Sequence, residues 1–118
     1  MATKQMKQGD TAPAITATLL DSSGDAVDLT DAAIRFLLRD AFTRIEYLSE
    51  DASNDQSGDG SDGSKGKVSY AWQAGDTDVV GVYRGEFEVT YYDQTVESFP
   101  NAEVITVVIL AKDAAEAS

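Results

Sequence analysis

Two stretches of alternating side chains lie at the centre of the chain. Between 66 and 73, Val68, Tyr70 and Trp72 fall on one side, with Lys67, Ser69, Ala71 and Gln73 on the other. Between 83 and 92, Tyr83, Gly85, Phe87, Val89 and Tyr91 share a side, and Arg84, Glu86, Glu88 and Thr90 share the opposite one. A period of two marks half-buried strands. The link between them holds Gly75, Asp76, Asp78 and Gly81, residue types that suit a turn and tolerate unusual φ. The pattern predicts two adjacent strands whose aromatic faces meet in one core.

The rest of the chain follows the same rhythm. Ile15, Ala17 and Leu19 alternate with Thr16 and Thr18 and predict a first strand over 14–20, closed by the turn residues at 21–25. A short extended piece over 27–30 leads to 31–33, where few residues are available to start a helix. Ile34, Phe36 and Leu38 point inward from a second main strand that turns Arg35 and Arg39 outward. A third strand is predicted over 43–49, with Ile45 and Tyr47 on one side. Residues 50–65 hold no large apolar side chain and are rich in Asp, Ser and Gly, so they read as a long mobile loop. After a tight turn at Asp93-Gln94 come a strand over 95–99, a break at Pro100-Asn101 and an apolar last strand over 104–110.

About seven short strands at this spacing, with almost no helix, predict an all-β, antiparallel, immunoglobulin-like β-sandwich carrying a long acidic Gly/Ser/Asp loop. The expected core is Ile34, Phe36, Val68, Tyr70, Trp72, Tyr83, Phe87, Val89 and Val107. Gly81-Val82-Tyr83 suits the tyrosine corner of such sandwiches. Residues 1–8 read as a flexible arm, 9–111 as the domain and 112–118 as a frayed tail.

Charge and composition narrow the function. The 118 residues carry 21 acidic against 9 basic side chains, a net charge of −12. Such a surface repels nucleic acid and anionic membrane, so neither is expected as a partner. Aspartates outnumber glutamates two to one and only five lysines are present, which reads as the solvated surface of a protein that works in high salt. The longest apolar run, 104–111, is too short to span a bilayer, and the first ten residues lack the apolar core of a signal peptide, so use without export is expected.

Histidine and cysteine are both absent, which removes the commonest general base, the commonest metal ligand and all thiol chemistry. No catalytic residues and no cofactor are expected. Glu86 and Glu88 lie on one side of one strand and read as a solvated face rather than a glycosidase pair. Asp55, Ser57 and Asp59, followed by Gly60, match positions 1, 3, 5 and 6 of a calcium loop. Position 12 is Gly66 where a bidentate glutamate belongs, so these three are calcium candidates within a loop that reads as solvated. Trp72, Tyr70, Tyr83, Phe87 and Tyr91 would make a sugar-binding platform if exposed, but their shared side favours the core.

Several short motifs follow one another in a set order: Gly9-Asp10-Thr11-Ala12-Pro13; Gly24 with Val27-Asp28-Leu29-Thr30; Phe36; Gly66-Lys67-Val68 with Tyr70 and Trp72; Gly75-Asp76-Thr77; Gly81-Val82-Tyr83; Glu86-Phe87-Glu88-Val89; and Phe99-Pro100-Asn101. In that order they resemble the immunoglobulin-like domain at the N-terminus of phage baseplate upper proteins and small stand-alone structural proteins of tailed viruses. The likeness covers about residues 9–110. Asp93-Gln94 stands where the pattern has Asp-Gly, and the insert at 52–65 is longer than the pattern's. The resemblance implies a virion structural protein of the tail, baseplate or neck, assembled in the host cytoplasm and docked on other virion proteins in multiple copies. With the acidic surface, it implies a haloarchaeal virus. The alternatives are decoration of the capsid surface and an adhesion module that binds host-surface glycan.

Overall fold

A computed structural model describes residues 2–99 and 105–111. It contains eight strands: β1 (Ala2–Lys7), β2 (Ile15–Thr18), β3 (Ala33–Asp40), β4 (Glu46–Asn54), β5 (Lys67–Tyr70), β6 (Gly81–Thr90), β7 (Val96–Phe99) and β8 (Ile105–Leu110). No helix occurs among the described residues. The strands form one mixed, curled sheet in the order β1-β8-β6-β3-β4-β5-β2, with β7 on β6. The all-β, sandwich-like architecture is therefore as the alternation predicts.

The curl depends on β4. Its first part pairs with β3 from Arg39↔Glu46 to Ile34↔Ala52, with a register shift between Leu38 and Arg39. Its last two residues, Ser53 and Asn54, leave β3 and pair with β5 instead. One strand thus belongs to both layers and folds β5 and β2 back over the inner face of β3 and β6. Rings meet across that gap. Phe36 of β3 stacks on Tyr70 of β5 at 4.9 Å between centroids and 19° between planes. Trp72, just beyond β5, packs nearly perpendicular to both Phe36 and Tyr70. Phe87, opposite Phe36 in the β3–β6 register, closes the cluster at 5.1 Å. All nine residues expected in the core are buried, joined by Met6, Ile15, Leu19, Leu29, Leu38, Phe99, Ile105 and Ile109.

Several expectations are corrected. The two central strands are not neighbours: β5 pairs with β2 and β4, while β6 pairs with β3, β7 and β8. Period two fixes which side is buried, not which strand is adjacent. Residues 2–7 of the expected flexible arm are a strand, parallel to β8 from Ala2↔Ile105 to Lys7↔Leu110, with Met6 buried. This pair also makes the sheet mixed rather than wholly antiparallel. The third strand runs to Asn54, taking 50–54 from the expected loop. The tail over 112–118 and the break at Pro100-Asn101 lie outside the described residues.

The outer face of β3 is also ordered. Arg35 donates to Ser49 Oγ, to the Ser49 carbonyl and to Asp51. Arg39 approaches Glu86 at 3.4 Å. Between the two arginines, Leu37 is buried although it lies outside the core cluster.

Candidate functional site

The calcium candidates do not converge. Asp55 accepts from the Ser53 hydroxyl at 2.7 Å. The Ser57 backbone N–H donates to Ser64 Oγ, and Asp59 accepts the Ser61 N–H at 3.0 Å. Each short turn therefore closes on itself. Among the described residues no group of three or more acidic side chains is placed to hold a metal ion.

What holds this segment is Gln56, which the sequence does not single out. Its Oε1 accepts the N–H groups of Leu29 at 2.7 Å and Gly66 at 3.2 Å. Its Nε2 donates to Asp28 Oδ1, the Gly58 carbonyl and Thr30 Oγ1. The Thr30 hydroxyl, with help from Gln56 and the Thr30 N–H, brings the Asp28 carboxyl down to about 2. Gly66 completes the junction with φ of +77°, and a Cβ there would sit 2.8 Å from the Leu19 carbonyl oxygen. The segment 55–66 is thus a hydrogen-bonded knot on the 27–30 stretch.

A second polar node lies under the β5–β6 link. Asp76 is buried, and its Oδ2 accepts the Tyr70 hydroxyl and the Gln73 N–H. Burial first, then the Asp76 carboxylate, pushes the Tyr70 hydroxyl well above its ordinary value. The Asp76 carbonyl accepts from the Tyr47 hydroxyl at 2.8 Å. Tyr47 is half-buried and stacks on Tyr83 at 4.7 Å. The Tyr83 hydroxyl donates back to the Val79 carbonyl at 2.9 Å, the bond expected of a tyrosine corner.

Two apolar ends are exposed. At one, the 76–80 segment is held by Tyr47 and Tyr83 and turns Val79 and Val80 to solvent. Beside it, Ala41 N–H bonds to the Val82 carbonyl, which brings the β3–β4 turn alongside. Asp40 Oδ1 caps that turn by accepting Phe42 N–H at 2.8 Å and Thr43 N–H at 2.9 Å. These two bonds hold the Asp40 carboxyl below its usual range. The turn leaves Phe42 82% and Ile45 68% exposed. At the other end of β6, the 91–95 hairpin is closed by Tyr91 and Thr95 and braced by Asp93 on Thr95. Gln94 takes φ of +73°, a left-handed conformation that favours glycine. This hairpin exposes Tyr92 by 79%, with Val96 beside it.

The remaining candidates fall elsewhere. Tyr70, Trp72, Tyr83 and Phe87 are in the core, and half-buried Tyr91 donates to Glu97. They form no exposed sugar platform. Glu86 faces Arg39, and Glu88 stands opposite Arg35 in the register. An open depression of about 420 Å³ lies along β2 and β5, lined by Thr16, Ala17, Thr18, Asp55, Lys67 and Val68.

No family model matches the chain, and no curated protein matches it. Among solved structures, the chain is similar to CopC from Methylosinus trichosporium OB3b, with a TM-score of 0.46 and 10% identity. That alignment covers 95% of this chain and 87% of CopC. No residue role is carried across at that identity.

Proposed function

We propose that the protein is a non-catalytic assembly domain of a tailed-virus particle, an adaptor of the tail, baseplate or neck that docks on other virion proteins. The observation that carries the docking reading is the cluster of Phe42, Ile45, Val79 and Val80, exposed together at one end on hydrogen-bonded turns. Exposed apolar patches of this kind mark interaction sites. The order of short motifs from Gly9 to Asn101 supports the virion context, and the net charge of −12 supports a halophilic archaeal host. Counting this chain by mass spectrometry in purified, complete particles tests the proposal. A fixed copy number per particle is expected. Absence from complete particles would refute it, and saturable binding of host glycan by the isolated protein would replace it with the adhesion reading.

A further inference from the structure

Most open flanks of the sheet carry charge: Lys4 and Lys7 on β1, Glu46, Glu50 and Asp51 on β4, and Glu97 on β7. Charged side chains on an edge keep other strands away. The exception among the described residues is β2, the last strand of the order, which lies within the uncharged residues 11–20. Its neighbour fixes which way its backbone bonds. The Leu19 N–H donates to the Gly66 carbonyl, and the β2–β5 register runs on through Ala17↔Val68 to Ile15↔Tyr70. Bonded positions alternate along an antiparallel pair. Ile15, Ala17 and Leu19 therefore bond towards β5, and Thr16 and Thr18 turn their N–H and C=O groups to the open flank. Thr16 is exposed, and both threonines line the open depression beside Lys67. We infer that β2 pairs with β2 of a second copy, antiparallel and centred on Ala17, joining two sheets edge to edge. This goes beyond the docking reading, which concerns the Phe42 end.

The spacing of the free backbone groups favours a second copy. About a two-fold axis at Ala17, Thr16 of one chain stands opposite Thr18 of the other. Both are bonding positions, so each Thr16–Thr18 pair exchanges both its N–H groups, and symmetry doubles the set. Threonine pairs across strands are themselves favourable. On the outward face the row runs Lys67, Thr18, then Thr16 and Ser69 of the second copy, so no like charges meet. On the inward face Ala17 meets Ala17 at the closer spacing of a non-bonded pair, which so small a side chain permits. Each chain carries a net charge of −12, so a neutral edge is where two copies meet with least repulsion. The contact uses the same strand of both chains, so it closes at two.

Sedimentation velocity of the full chain tests this, from about 10 μM to about 1 mM. About 0.5 M KCl screens the net charge beyond roughly 4 Å while side chains in direct contact still feel one another. The mean mass of the wild type is expected to rise with concentration to two chains and stop there. Thr16→Lys combined with Thr18→Lys sets lysine against lysine twice and should weaken association at least about tenfold. Thr16→Lys combined with Thr18→Glu sets lysine against glutamate in the same register and should keep the two-chain species. Both variants change only outward side chains of an edge strand, so circular dichroism should match the wild type. A wild type that stays monomeric throughout would overturn the inference and leave the edge to a strand of another protein, with incorporation into particles deciding the assembly reading separately. Equal association of the two variants would overturn it in favour of another surface. Loss of association in both would overturn the register centred on Ala17.

Discussion

Phe36→Ala is the sharpest test of the two-layer core. Phe36 is fully buried and touches three rings: Tyr70 at 4.9 Å, Phe87 at 5.1 Å and Trp72 at 5.9 Å. Two of these, Tyr70 and Trp72, come from the opposite layer, so the truncation opens a void that neither layer alone can close. Loss of a buried phenylalanine costs about 3–5 kcal/mol. The rigid rings around it place the expected loss in the upper half of that range. For a domain of this size that corresponds to a fall in Tm of about 10–20 °C. Equilibrium urea unfolding would measure it as a shift in midpoint at unchanged slope. Gly85 provides an internal control, because a Cβ there would lie 3.2 Å from two Phe36 ring carbons. Gly85→Ala should cost about 1–3 kcal/mol by overpacking in the wild type. In a Phe36→Leu background it should cost less, with a coupling of about 1 kcal/mol. A loss below about 1 kcal/mol for Phe36→Ala, or additive costs in the cycle, would show that the layers do not pack around this ring.

Gln56→Ala removes the acceptor for the N–H groups of Leu29 and Gly66 and should cost about 1–3 kcal/mol by urea unfolding, whereas a solvated loop predicts almost no change. The Asp28 carboxyl is depressed from 3.8 to about 2 in the folded protein, so its contribution is fully present above pH 4 and is lost as pH falls through about 2. Asp28→Asn should flatten the fall in Tm between pH 4 and pH 2 relative to the wild type, and parallel acid profiles would refute that assignment. At a net charge of −12, Tm should rise between about 0.1 and 2 M KCl, mostly below a few hundred millimolar; a Tm that does not move removes the halophile argument.

The legible part of the fold was the part written in large apolar side chains. Phe36, Tyr70, Trp72, Tyr83 and Phe87 alternate strictly, and each is buried. Strand partnership was not legible, because a facing layer and a neighbouring strand bury the same pattern. In β1, Met6 is the only large apolar side chain in Ala-Thr-Lys-Gln-Met-Lys, and pairing to β8 runs through the backbone. The polar second half of β4 lacks large apolar side chains, yet it pairs with both β3 and β5. Gln56 and Asp76 act through hydrogen bonds to residues 27 and 6 positions away, a relation that no local spacing encodes. Phe42 and Ile45 have the residue types of a core, and only the cap from Asp40 reveals a tight turn that leaves them outside.

The parallel pairing of β1 with β8 has a consequence for timing. β1 is synthesised before β8, yet its strand partner among the described residues lies more than a hundred positions later. During synthesis Met6 has no slot to fill, and β8 reaches the sheet with one flank open until β1 returns. Closure of so long a loop makes this a late step in folding. The open flank of β8 is thus a transient window, available to a chaperone or a neighbouring chain before the molecule closes it with its own first strand.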